Sequence, residues 1–167
     1  EDRHSRRSWA TGSALIFVMA ESVLITGSSG GIGEALVEEF ARAGWKVFAT
    51  ARNAKQPELS ELTRQWENLS VLTLDVAQES TILDAAKRLA DGALDVLINN
   101  AAIFPGEGQE PFETIDPEWF NQAFDTNVVG VARVTKAFLR HLRKSGHARI
   151  ANISSGAGSI SEKEDFD

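Results

Sequence analysis

Residues 23–44 read VLITGSSGGIGEALVEEFARAG: an apolar run, a glycine-rich bend and an amphipathic stretch in direct succession. Val23–Gly27 is continuously apolar up to its threonine and ends in glycine, the pattern of a strand buried on both faces. Ile32, Ala35, Leu36, Phe40 and Ala43 recur at helical spacing, and Gly44 supplies a helix stop. Between strand and helix lies TGSSGGIG, Thr26 to Gly33, with four glycines, three hydroxyl residues and one isoleucine. So little side chain implies that something approaches this backbone closely. A glycine turn that opens a helix presents free N–H groups at its positive end, where phosphate is favoured. Gly27 permits the tight turn, while Gly31 and Gly33 admit a pyrophosphate and the sheet. No Gly-Lys-Ser/Thr follows, which excludes a P-loop.

Further strands and helices alternate along the chain. KVFATAR (Lys46–Arg52), VLTLD (Val71–Asp75), LDVLINNA (Leu94–Ala101) and ARIANISS (Ala148–Ser155) read as strands. Pro57–Glu67 reads as a helix with a polar outer face, and Ile82, Ala85, Ala86 and Leu89 mark another. Asp116 and Pro117 form a cap and first-turn pair for a helical region reaching Lys144, with a break near Asn127. This alternation predicts an α/β fold, a Rossmann-like doubly wound parallel sheet with five strands. Ligands of such sheets bind beyond the carboxyl ends of the strands, where Gly27, Arg52, Asp75, Asn100 and Ser155 stand.

The 167 residues suit one domain, and a net charge of −7 argues against a nucleic-acid partner. Without cysteine there is no disulfide, thiolate nucleophile or Cys-ligated zinc, and no metal site is expected. That composition fits a reducing cytoplasm. No apolar run reaches the roughly 18 residues of a membrane helix. Arg6 and Arg7 before the apolar patch Ala14–Ala20 resemble a twin-arginine export signal. The patch is short and runs almost directly into the first strand. Residues 1–18 are therefore expected to be an extension and residues 19–167 the dinucleotide-binding domain, starting at Met19.

The glycine spacing is T-G-x-x-x-G-x-G, and LDV (Leu74–Val76), NNAA (Asn99–Ala102), NVVG (Asn127–Gly130) and NISS (Asn152–Ser155) follow in order. In this set the chain resembles the short-chain dehydrogenase/reductase family from about Met19 onward. The resemblance implies a single domain that transfers hydride between a nicotinamide cofactor and a small carbonyl or alcohol substrate. It implies cofactor contacts at Thr26, Gly27, Ser29, Gly31, Ile32, Gly33 and Ala101, adenine contacts at Asp75 and Val76, and a place beside the cofactor ribose for Asn100. Asp75 reads equally well as a helix cap. Ala102 departs from the family's usual glycine. The second strand ends in ATARN, with Arg52 and no acid. A ribose 2′-hydroxyl calls for an acid there and a 2′-phosphate for arginine, so NADP(H) is favoured over NAD(H). The plain alternative for Arg52 is a solvated loop residue.

For catalysis the resemblance implies Ser155 as the substrate-binding serine, ahead of Ser154, and Asn127 as the asparagine of a proton path. Their alternatives are a strand-end turn and a helix break. The sequence contains no tyrosine, and Lys163 stands too close to Ser155 to be the lysine of Tyr-x-x-x-Lys. His4, His141 and His147 are expected on the surface. The chain thus reads as the cofactor-binding portion of an NADP-dependent oxidoreductase, with an exposed apolar face where further chain would pack. The competing reading is a non-catalytic nucleotide-binding or interaction protein. Val128, Val129, Val131, Val134, Ala137, Phe138 and Leu142 resemble the family's dimer-forming helix, so a homo-oligomer through residues 128–142 is one expectation. Packing of that helix on its own sheet is the other.

Overall fold

A computed structural model describes residues 20–105 and 111–155. Strand β1 (Ser22–Ile25) is buried along its length and pairs in parallel with β2 (Lys46–Ala51) on one side and β4 (Val96–Asn99) on the other. β3 (Leu69–Thr73) and β5 (Arg149–Asn152) complete an all-parallel sheet in the order β3-β2-β1-β4-β5. Among the described residues this is the five-stranded, doubly wound Rossmann-like arrangement that the sequence predicts.

Side chains of β1 alternate between two cores, as the pleat requires. Val23 and Ile25 face a layer built with Val37 and Ala41 of α1 (Gly31–Arg42) and Leu59 and Leu62 of α2 (Pro57–Gln65). Leu24 faces the opposite layer, with Ile82 of α3 (Glu79–Arg88) and Val134, Phe138 and Leu142 of α5 (Gly130–Leu142). Each Val, Leu, Ile or Phe among them contributes about 1.5–3 kcal/mol on leaving water.

All five strands end before the expected boundary: β1 at Ile25, β2 at Ala51, β3 at Thr73, β4 at Asn99 and β5 at Asn152. Their last expected residues have turned into loops, which sets Gly27, Arg52, Asn100 and Ser155 just beyond the sheet. The face of α1 also differs from the expected one. Gly33, Val37 and Ala41 pack inward, Leu36 and Phe40 flank them, and Ile32 and Ala35 are exposed. The close approach of Gly33 to the preceding turn selects this line of side chains. At its far end α1 closes with a Schellman motif, in which Trp45 N–H donates to Phe40 O at 3.1 Å and Gly44 N–H to Ala41 O at 3.0 Å. Gly44 has the left-handed φ of 83° that the motif needs.

The break near Asn127 is a π turn, Asp125–Val129, joining α4 (Glu118–Phe124) to α5. Asp116 caps α4 as expected, its Oδ1 accepting Glu118 N–H at 2.9 Å. His141 contradicts its surface expectation. It is fully buried, its Nε2 lies 3.1 Å from Ala90 O, and its Nδ1 has no partner among the described residues. Burial pushes the imidazole below its usual range, with Arg140 and Lys144 adding to that; the Ala90 carbonyl and Asp91 oppose it. His147 is half exposed, beside Glu21. Of the apolar set on residues 128–142, Val134, Phe138 and Leu142 belong to the core, so sheet packing accounts for them, and Val128 stays exposed. Exposed apolar residues do occur: Phe120, Phe124 and Val128 line one open groove, and Ile150 and Ile153 are exposed in and just after β5. The boundary at residue 19, the twin-arginine stretch, His4 and Lys163 lie outside the described residues.

Candidate functional site

Thr26 and Asn100 clamp the two central strand ends together. Thr26 Oγ1 accepts the N–H groups of Asn100 and Ala101 at 2.9 and 3.0 Å, and Asn100 Nδ2 donates to Thr26 O at 2.9 Å and Gly27 O at 3.1 Å. Glycine is required at two positions by this packing. A Cβ on Gly27, where φ is 68°, would stand 2.8 Å from Ala101 Cα, and one on Gly33 would collide with Gly27 O and Asn100 Nδ2. Gly33 therefore serves the close approach of turn to helix. Open space lies beside Gly30 and Gly31 instead, where a Cβ would meet nothing within 4 Å. No side chain caps the N-terminus of α1, so its first-turn N–H groups are left for an external acceptor.

In front of this turn lies a cleft of about 550 Å³. Gly27, Ser29, Ile32 and Gly33 form one wall, and Arg52, Asp75, Val76, Asn100 and Ala101 line the rest, so nine of the expected cofactor residues converge here. Thr26 is buried beneath them as the clamp. Ala102 also lines the cleft and is exposed, leaving its methyl at the open surface. Arg52 is exposed and makes no ion pair among the described residues. Asp75 forms a turn, its Oδ1 accepting Ala77 N–H at 2.9 Å, and does not cap α3, whose N-cap position is Gln78. Val76 packs against the start of α5, where a Cβ on Gly130 would come within 2.9 Å of it.

The expected catalytic residues stand apart from this cleft. Asn127 pairs on both sides with Ile103: its Oδ1 accepts Ile103 N–H and its Nδ2 donates to Ile103 O, each at 2.8 Å. It also lines a second, more open groove of about 770 Å³ with Phe120, Phe124 and Val128. Ser155 is exposed three residues past β5, and no hydrogen bond joins it to Asn127 among the described residues. No group of three or more His, Asp or Glu side chains is placed to hold a metal among those residues.

Residues 21–164 match the family model described as short chain dehydrogenase. The chain belongs to this family. As a short chain dehydrogenase it is 36% identical over 140 residues to an NADP-dependent 3-hydroxy acid dehydrogenase, YdfG, of Shigella flexneri, covering 82% of this chain and 55% of that protein. It is 36% identical over 155 residues to an NADPH-dependent pterin aldehyde reductase of Arabidopsis thaliana, covering 89% of this chain and 62% of that one. Its fold is similar to the crystal structure of an NADPH-bound carbonyl reductase from chicken fatty liver, with a TM-score of 0.76 at 31% identity, covering 85% of this chain and 62% of the other. This short chain dehydrogenase spans 38% to 62% of the length of the curated relatives it matches.

One residue of the turn escaped sequence reasoning. Ser28 is fully buried and bonded to both β1 and β2, although its type and position match those of exposed turn serines. Its only sequence signal is a place three residues beyond the unbroken apolar run Val23–Ile25.

Proposed function

We propose that this chain is the nucleotide-holding part of an NADP(H)-dependent oxidoreductase acting on small carbonyl or alcohol compounds. The observation that carries the reading is Arg52, which among the described residues has no ion-pair partner, at the rim of a cleft whose other wall is a helix N-terminus that no described side chain caps. The N–H groups at the start of α1 receive the pyrophosphate, and Arg52 receives the 2′-phosphate. Asp75 and Val76 border the adenine, and Asn100 and Ala101 border a ribose. The bound dinucleotide supplies hydride to the carbonyl. Ser155 donates a hydrogen bond to the substrate oxygen. Asn127 acts through its grip on Ile103, holding the loop after β4 at the cleft mouth.

The names of the two relatives and of the carbonyl reductase support the choice of NADP(H). With no tyrosine in the sequence, these 167 residues supply no proton donor of the expected kind. Turnover is therefore assigned to an enzyme that adds one, and binding to this chain. That absence also favours a second reading, a nucleotide-binding protein without turnover. An NADPH oxidation assay of this chain with a panel of small carbonyls tests what the two readings share: steady turnover would contradict both.

Fluorescence titration tests the cofactor claim. NADPH is expected to bind more tightly than NADH, and Arg52→Asp to weaken NADPH about tenfold or more, the scale of one charge-assisted hydrogen bond. Equal affinities in the wild type would overturn the reading. We also propose a cytoplasmic setting, from the absence of cysteine, and self-association through the face carrying Phe120, Phe124 and Val128. Light scattering of the eluted protein measures the latter.

A further inference from the structure

The two anion sites of the cleft lie on different elements, and the hydrogen bonds from the turn to β2 converge on one residue, through its backbone N–H and its hydroxyl. The ladder between β1 and β2 ends at the pair Ile25 and Ala49. Beyond it Thr26 turns toward β4, its N–H donating to Ile98 O at 3.0 Å. Only Ser28 then reaches back to β2 among the described hydrogen bonds of this turn. Its N–H donates to Thr50 O at 2.8 Å, and its Oγ accepts Thr50 N–H at 3.3 Å. The same Oγ donates to Ile25 O at 2.9 Å. Ser28 and Thr50 are both 0% exposed, so when the hydroxyl is removed no water takes over its two bonds, to Ile25 O and Thr50 N–H, and only the backbone bond from Ser28 N–H to Thr50 O remains. Thr50 stands two residues before Arg52, while Ser28 lies between Gly27 and the open glycines Gly30 and Gly31.

We infer that Ser28 is a specificity-positioning residue: it sets the distance between the phosphate-receiving turn and Arg52, and so governs preference for a 2′-phosphorylated dinucleotide. This rests on the reading of the cleft as an NADP(H) site. A ligand with two anionic groups gains from its second contact only when both sites stand at a fixed separation before it arrives. NADH has only the pyrophosphate to satisfy and is indifferent to that separation. Loss of the Ser28 hydroxyl therefore weakens NADPH selectively, and the effect passes through Arg52.

The test is the ratio of NADPH to NADH affinity in wild type, Ser28→Ala, Arg52→Ala and the double variant, each checked for folding by circular dichroism. The 2′,5′-ADP and 5′-AMP pair provides a second ratio without the nicotinamide half. Ser28→Ala is expected to lower both ratios about fivefold or more. It is expected to leave the already reduced ratio of Arg52→Ala unchanged, because the two substitutions act on one interaction. Ser28→Cys, similar in size with a poor acceptor, covers the case in which alanine prevents folding, and is expected to shift the ratios in the same direction. A folded Ser28 variant with the wild-type ratio, or an equal loss for NADPH and NADH, overturns the inference and leaves the NADP(H) reading standing. A wild type without NADPH preference overturns both.

Discussion

At the scale of single residues, the glycines of the turn divide by what occupies the space beside them. Gly33 faces the carbonyl of Gly27 and the amide of Asn100. Gly33→Ala is therefore expected to force the turn off α1 and to destabilise the apo protein by at least about 2 kcal/mol, the scale of an overpacked core. A denaturant midpoint without cofactor checks this, and an unchanged midpoint would contradict the packing described. Arg52 and the glycine spacing were legible because each announces itself by residue type at a fixed distance from a strand. Ser28 was not, because a buried serine and an exposed one share the same letter. Only the backbone of β2 tells them apart.

At the scale of elements, the π turn between α4 and α5 is held from outside. Asn127 grips both polar groups of Ile103, and Arg133 pairs with Asp125 at 2.8 Å across the turn. π turns recur at functional sites because the extra residue re-aims a helix. Removing both amide contacts in Asn127→Ala is expected to raise amide hydrogen exchange about tenfold or more in residues 101–105, with β1 unaffected, since about 1.5 kcal/mol of local stability is lost. Uniform exchange across both segments would contradict a local role. The sequence carried the break but not its form. Asn127 was readable as a catalytic group or as a helix interruption, and its partner stands twenty-four residues earlier, in a loop no periodicity reaches. The face of α1 was missed for a related reason. Ile32 and Ala35 fit the helical spacing, but the contact of Gly33 with the turn rotates the helix so that Val37 and Ala41 face the sheet.

For the whole molecule, one buried and one half-buried titratable group divide its response to acid. His141 is held below its ordinary 6.5 chiefly by burial. The unfolded chain takes up a proton first as pH falls through 6.5, so stability is full above that value and declines toward the lower folded value. The slope is at most about 1.4 kcal/mol per pH unit for one such group. Asp95 governs a second window. Burial pushes its carboxyl up, but hydrogen bonds from Ser145 Oγ at 2.6 Å and from Ser22 N–H and Oγ at 2.7 and 2.9 Å, with His147 nearby, outweigh that and hold it below 3.8. Its contribution is complete above 3.8 and is lost as pH falls through the folded value. Melting temperatures between pH 8 and pH 5 are expected to fall in the wild type and to stay nearly flat in His141→Gln. An unchanged slope would place the acid response elsewhere. The architecture itself was legible, because five apolar runs alternating with amphipathic stretches leave few topologies. His141 was not: it sits near a helix end, where a histidine commonly meets water, and only the turn at Ala90 folding over it makes it internal.

Gly30 has an extended backbone, with φ of 169°, and nothing stands within 4 Å of the place a side chain would begin. It thus differs from Gly27 and Gly33, whose glycine character is demanded by the protein's own atoms. A methyl group there is compatible with the apo fold and stands at the edge of the cleft in which we propose the pyrophosphate is received. Gly30→Ala would be a plug, a protein that melts like the parent yet stays empty. Such a form would separate the work of the cofactor from the work of the scaffold in a cell, where a destabilising knock-out confounds the two.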